Sequence, residues 1–258
     1  MTIPFFKYQG TGNDFILIDN RQEVYVKNNA KVTALLCDRK FGIGADGLIL
    51  LENDDRSDFR MVYFNADGHE GSMCGNGGRC TVAFAQYLGM IGDGATFNAV
   101  DGSHGALIDG DTVSLAMREV SEIRIRPEAL FLDTGSPHHV QLVAHLEEFE
   151  VFREGKKLRY GLYGEKGSNI NFVAQENDAV FSVRTYERGV EDETLSCGTG
   201  VVAVAIGMHK TGKTQATSVT VNTRGGGLKV TFDVEGEKYR NVRLIGPAKQ
   251  VFKGEVVC

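Results

Sequence analysis

Two segments of this 258-residue chain share one construction. Residues 74–85 read Cys-Gly-Asn-Gly-Gly-Arg-Cys-Thr-Val-Ala-Phe-Ala, and residues 197–206 read Cys-Gly-Thr-Gly-Val-Val-Ala-Val-Ala-Ile. Each is a cysteine, a Gly-polar-Gly triplet and an apolar run. A device that occurs twice in matched positions constrains the fold more than composition does. It implies two similar halves, each with one copy at the start of a helix.

The surrounding pattern agrees. After Cys74, apolar residues fall at Cys80, Ala83, Phe84, Tyr87 and Leu88, which is one face of a helix that Gly89 stops. Residues 201–206 are apolar on every side, so the second helix is expected to be buried all round and to end near Thr211-Gly212. Val32 to Arg39 suits a short helix. Strands rich in β-branched and aromatic residues read at 14–20, 46–52 and 59–68, with short ones in "TFNAV", "GALIDG" and "TVSLAM" (112–117); 130–144 reads as a Thr-Gly turn leading to a strand, and strands follow in "NINFVAQ" and "VFSVRTYERG", and in "SVTVNT", "LKVTFDV" and "YRNVRLIG". The expected class is α+β: two pseudo-symmetric halves, each a mixed, mainly antiparallel sheet wrapped around a central helix. The halves are expected at 1–117 and 118–248, with a surplus C-terminal strand at 249–258 returning to the first.

Composition excludes several functions. Hydrophobic residues make up 42% and charged residues 24%, as in a soluble globular protein. A net charge of −6 argues against nucleic acid or an anionic membrane as partner. No apolar run approaches the roughly 18 residues of a membrane span, and the N-terminus does not read as a signal peptide. Five cysteines in no regular framework point to a reducing, cytoplasmic setting. Cys74 and Cys80 lack Cys-x-x-Cys spacing, and His69 beside them adds little, so neither a metal nor a thioredoxin-type pair is expected. Cys37 and Cys80 read as core residues and Cys258 is terminal. "GIGADG" runs into a strand rather than a helix, so it is not read as a phosphate loop.

The chemistry of the device follows from helix ends. The first N–H groups of a helix have no intrahelical partner, and the dipole makes that end partly positive. A carboxylate can bind there, and a cysteine there ionises more readily. A single Cys-Gly pair before a helix is commonly just a small buried residue and a turn; the duplication argues for more. Two such ends could grip one small acid between two thiols. One thiolate would remove a proton while the opposite thiol donates one, which suits inversion of a stereocentre.

The segments "GTGNDF" (10–15), "DRKFGIGADG" (38–47), "FNADGHEGSMCGNGGRC" (64–80) and "YERGVEDETLSCGTG" (186–200) resemble diaminopimelate epimerases over nearly the whole chain. Proline racemases share the duplicated fold and paired thiols but differ around them. The resemblance implies a pyridoxal-independent enzyme that interconverts LL- and meso-diaminopimelate in lysine and peptidoglycan precursor synthesis, with substrate in a cleft between the halves. By position, it implies Cys74 and Cys197 as the acid/base pair. It implies Gly75, Asn76, Gly198 and Thr199 as backbone donors around the reacting carboxylate, and His138 in a supporting place nearby. It implies Asn13, Asn65, Asn169, Glu187 and Arg188 as substrate-binding side chains. An asparagine offers donor and acceptor to a zwitterion, Arg188 suits a carboxylate and Glu187 an ammonium. Gly47 stands where some members have glutamine and Ser136 where many have asparagine; both departures touch the distal end of the substrate.

No cofactor and no metal are expected, and the partner is a small amino acid, with a homodimer left open. The alternatives are a related racemase acting on another amino acid, such as a proline derivative, and a non-catalytic amino-acid-binding protein in which the cysteines are core residues.

Overall fold

The computed structural model describes residues 2–27 and 29–257. In chain order the elements are β1 (Thr2–Gly10), β2 (Asn13–Asp19), α1 (Ala30–Cys37), β3 (Gly47–Glu52), β4 (Phe59–Asn65), α2 (Gly75–Tyr87), β5 (Gly94–Ala99), β6 (Gly102–Asp109) and β7 (Thr112–Ala116). They continue with β8 (Ile123–Ile125), β9 (Leu130–Asp133), β10 (Pro137–Leu142), α3 (Val151–Gly161), β11 (Asn169–Asn177), β12 (Val180–Glu187), β13 (Asp192–Thr194) and α4 (Gly198–Lys210). The last are β14 (Ser218–Thr223), β15 (Gly226–Glu235), β16 (Lys238–Pro247) and β17 (Lys249–Val257). The chain divides into two compact units, Met1–Leu115 with Gly246–Cys258, and Ala116–Ile245. Each is a mixed, mainly antiparallel sheet with a buried helix, the α+β class read from the sequence.

In the first unit β1 pairs antiparallel with β17, from Thr2↔Val257 onward, and antiparallel with β2. β2 runs parallel to β3, and β3 antiparallel to β4. The β1–β2 hairpin closes through Thr11 and Gly12, both at positive φ (52° and 82°). This is the backbone that a two-residue hairpin loop requires. It brings Asn13 to the head of β2. α2 departs from the expected one-sided face: Gly75 to Val82 are all buried, whereas Tyr87 is half exposed. The glycines explain it. A Cβ on Gly77 would meet Ile49 Cδ1 at 3.1 Å and Met61 Cε at 3.2 Å, and one on Gly78 would meet Leu115 Cδ2 at 3.1 Å. Bare backbone therefore packs where side chains would normally stand.

In the second unit β10 and β11 are parallel, with His138 opposite Asn169 and Val140 opposite Asn171. β11 and β12 are antiparallel, with Asn171 opposite Thr185. α4 is buried on all sides from Val201 to Ile206, among Leu130, Val140, Val173, Phe181, Val219 and Leu244. Each such aliphatic side chain contributes about 1.5–3 kcal/mol of burial. α4 ends at Thr211 and Gly212, whose φ is 70°.

The sequence reading omitted β1, α3, β8 and β13. α3 packs on the outer side of β11 and β12 through Val151, near Ile170, Phe172 and Tyr186. Two glycines and a dense run of charge hide its periodicity. The terminal strand runs Lys249–Val257, and Cys258 lies outside the described residues. Among the described residues no helix is long and apolar enough to cross a membrane.

Candidate active site

Cys74 and Cys197 occupy the same structural position. Each is the N-cap of its unit's buried helix, with extended backbone (φ −102°, ψ 124° and φ −117°, ψ 108°). Each carbonyl accepts the first helical bond, from Gly78 N–H at 2.7 Å and Val201 N–H at 2.9 Å. The N–H groups of the intervening residues have no acceptor inside the helix. Neither helix carries an acidic residue in its first turn. Both ends are therefore suited to an anion brought from outside the chain.

The other described cysteines differ. Cys37 and Cys80 are buried among apolar groups, and that burial pushes both thiols up to about 12. They are poor bases at neutral pH.

Around Cys74 the first unit builds a polar frame. Asn13 Nδ2 donates to Asp46 Oδ2 at 2.7 Å, which turns Asn13 Oδ1 toward Cys74 Sγ (3.5 Å) and Asn76 Nδ2 (3.2 Å). Asp46 and Asp14 are held by Arg39, and Asp14 also by Lys7 at 2.7 Å. Burial alone would push the Asp14 carboxyl up, but its bonds to Arg39 and Lys7 outweigh that and hold it at about 2. Arg79 is fully buried beneath the start of α2. Its guanidinium donates to Gly75 O (3.3 Å), Asn76 Oδ1 (3.0 Å), Thr11 Oγ1 (3.4 Å) and Pro247 O (3.4 Å). The Asn76 side chain is thus bound to protein, through Arg79 and Asn13. Asn65 is exposed at the end of β4, where its backbone shapes the following turn.

Around Cys197 the second unit supplies a different frame. Cys197 Sγ lies 3.6 Å from Thr199 Oγ1, which lies 2.9 Å from His138 Nε2. Asn171 Nδ2 lies 3.1 Å from His138 Nδ1. His138 and His139 are both buried. The sheet encloses both because β10 is an inner strand, between β9 and β11. Asn169 donates to Ser136 Oγ at 2.9 Å and to Pro137 O at 3.2 Å, and accepts from Arg188 N–H at 2.8 Å. Arg188 donates to Lys166 O at 3.0 Å, and it lines an open pocket of about 480 Å³ with Tyr163 and Lys166. Glu187 Oε2 accepts from Thr194 Oγ1 at 2.8 Å.

Gly47 admits no side chain: a Cβ there would lie 2.5 Å from the Tyr63 ring and 2.6 Å from Phe64 O. Tyr63 fills the space that a glutamine would need. Asp46, Arg79, Asn171 and Thr185 stand in these frames and were not singled out from the sequence. A buried arginine one turn into a glycine-rich helix start is a visible signal for one of them; the others depend on strand register. Among the described residues no group of three or more His, Cys, Asp or Glu side chains could hold a metal ion.

The comparisons with known proteins point one way. The profile of the family described as diaminopimelate epimerase matches residues 5–103 and 130–251. A diaminopimelate epimerase from Flavobacterium psychrophilum is 57% identical, covering 97% of this chain and 99% of its own length. The enzyme of that name from Chlorobaculum tepidum is 43% identical, covering 96% and 98%. Among solved structures, a PhzF-family phenazine biosynthesis protein from Bacillus anthracis superposes with a TM-score of 0.80 at 16% identity, over 100% of both chains. A hydroxyproline epimerase from Agrobacterium vitis gives 0.71 at 16% identity, over 99% of this chain and 92% of its own. The structural likenesses establish the duplicated fold alone, whereas the sequence matches span both Cys-Gly devices: the chain belongs to the diaminopimelate epimerase family.

Proposed function

We propose that the chain interconverts LL- and meso-diaminopimelate by two-thiol acid/base catalysis at Cα. The observation that carries this reading is the equivalence of Cys74 and Cys197: two cysteines at the N-caps of two buried, glycine-led helices, in a chain of this family. The Cα–H of an amino acid is a very weak acid, so the carbanion needs charge stabilisation. Backbone N–H groups of Gly75 and Asn76 and of Gly198 and Thr199 are assigned to the α-carboxylate, where charge accumulates. One lost donor of this kind costs about 3–4 kcal/mol in other enzymes.

In the reaction a thiolate takes the Cα proton and the second thiol delivers its own proton to the opposite face. Each turnover therefore leaves the two sulfurs with exchanged protonation. Asn13, Asn65, Asn169, Glu187 and Arg188 are assigned to substrate binding, with Arg188 taking a carboxylate and Glu187 an ammonium. The step serves lysine and peptidoglycan precursor synthesis, and its thiol chemistry suits the reducing cytoplasm. The test is incubation with LL-diaminopimelate followed by separation of stereoisomers. Accumulation of the meso form is expected; folded protein that leaves the LL form unchanged would contradict the proposal.

A further inference from the structure

In the first unit one aromatic ring is held between two glycines. β2, β3 and β4 lie side by side, with Phe15 opposite Gly47 and Gly47 opposite Asn65. Alternate residues of these strands face α2: Phe15, Ile49 and Met61 all stand within 3.5 Å of where a Cβ on Gly77 would be. Asn13, Gly47, Tyr63 and Asn65 fall on that face by the same alternation. The Tyr63 ring is enclosed at its edges. A Cβ on Gly47 would lie 2.5 Å from Tyr63 Cε2 and 3.0 Å from its hydroxyl oxygen, and one on Gly71 would lie 2.8 Å from Cε1 and 2.9 Å from Cδ1. Phe15 closes a third side, with ring centroids 6.0 Å apart and planes at 77°.

Gly71 reaches this place because the segment after β4 folds back. Asn65 N–H donates to His69 O, Gly68 N–H to Asn65 O and Gly71 N–H to Tyr63 O, each at 2.9 Å. The same return sets Asn65 Nδ2 2.9 Å from where the Gly71 Cβ would be, so Tyr63 and Asn65 converge on one spot. Core packing does not account for the arrangement, since Tyr63 is only partly buried and Asn65 is exposed. A ring locked by its neighbours, beside an exposed amide, is a preformed contact for a ligand. Adjacent strands are ~4.8 Å apart, so Asn65 stands roughly 10 Å across the sheet from β2, whose Asn13 contacts the Cys74 sulfur. The pair therefore serves a part of the ligand remote from the sulfur.

We propose that Tyr63 is a specificity-determining residue, whose hydroxyl binds the amino-acid group at the end of the substrate away from the reacting carbon, next to Asn65. The inference rests on the functional reading above, which gives the substrate a second ammonium and a second carboxylate. A phenolic hydroxyl both donates and accepts, so it can serve either group, and one bond within the protein leaves it another to make. Gly47 and Gly71 are then the residues that keep the ring in its place.

The test is steady-state kinetics of Tyr63→Phe with LL-diaminopimelate, beside inhibition by 2-aminoheptanoate, which keeps the reacting amino-acid group and lacks the distal one. The substitution keeps the ring, so packing between the glycines is preserved. The KM for diaminopimelate should rise by on the order of tenfold with kcat within about twofold, the pattern of a contact made equally in ground and transition states. The inhibition constant of 2-aminoheptanoate should change by less than about twofold. An unchanged KM would overturn the inference. A loss confined to kcat would also overturn it, by placing the hydroxyl at the reacting carbon. An equal rise in the inhibition constant would overturn it too, by making the role structural. Failure of the wild-type protein to turn over LL-diaminopimelate would strike the functional reading instead.

Discussion

At the scale of the residue, chemistry is divided among cysteines by surroundings. Cys37 and Cys80 sit in apolar packing with thiols raised to about 12, whereas Cys74 and Cys197 sit at helix starts beside polar side chains. Cys74→Ala and Cys197→Ala should each lower epimerisation by at least about 10³-fold, the upper part of the range for a lost acid or base. Denaturation should show stability changed by no more than about 1 kcal/mol, since neither change opens a large cavity. Turnover near the wild-type rate in either variant would remove that cysteine from the mechanism. These two residues were legible in the sequence because a cysteine ahead of Gly-polar-Gly is a local signal. Asn171 was not: its partners Thr185 and His138 lie 14 and 33 positions away and meet it only through strand register. Asp46 was hidden likewise, 33 positions from Asn13.

At the scale of the element, the two buried helices depend on glycines that let other groups close in. Gly200 has Asn171 within 2.5 Å of where its Cβ would stand, and that oxygen is locked by Thr185. Gly200→Ala should therefore push Asn171 from its place or tilt the start of α4. A displacement of about 1 Å at such a site costs on the order of 10²-fold in rate. Steady-state kinetics should show that loss mainly in kcat, and a variant with unchanged kcat would contradict the account. Gly155 in α3 is tighter still, with Tyr186 Cβ at 2.4 Å. Gly155→Ala should destabilise by about 1–3 kcal/mol, read from the denaturant midpoint. α4 was legible because six consecutive apolar residues admit no polar face. α3 was not, since glycine at its packing position removes the apolar signal that marks a buried face.

At the scale of the whole molecule, titration and symmetry of function come together. His138 is held neutral with its pKa lowered from 6.5 to about 3, mainly by burial, and His139 and His209 are lowered in the same direction. Below about 6.5 the unfolded chain binds protons that the folded rings refuse, so stability is full above that pH and falls as pH drops toward 3. The slope from His138 alone approaches about 1.4 kcal/mol per pH unit. Asp14 adds a separate loss only at lower pH, between 3.8 and about 2. Urea midpoints measured from pH 8 to pH 4 should fall steadily below 6.5; a flat curve would contradict neutral burial of His138. The duplicated plan was legible because the Cys-Gly device is repeated, and the omitted β1 is the strand that the C-terminal β17 pairs with. The central claim, that Cys74 and Cys197 act as opposed base and acid, is tested most directly in heavy water. LL-diaminopimelate is converted to low extent and both stereoisomers are weighed by mass spectrometry. The account predicts meso product carrying deuterium at the inverted carbon while recovered LL substrate stays largely unlabelled. Early product that retains protium, with label entering the substrate as fast as product forms, would show a single base serving both faces and would contradict it.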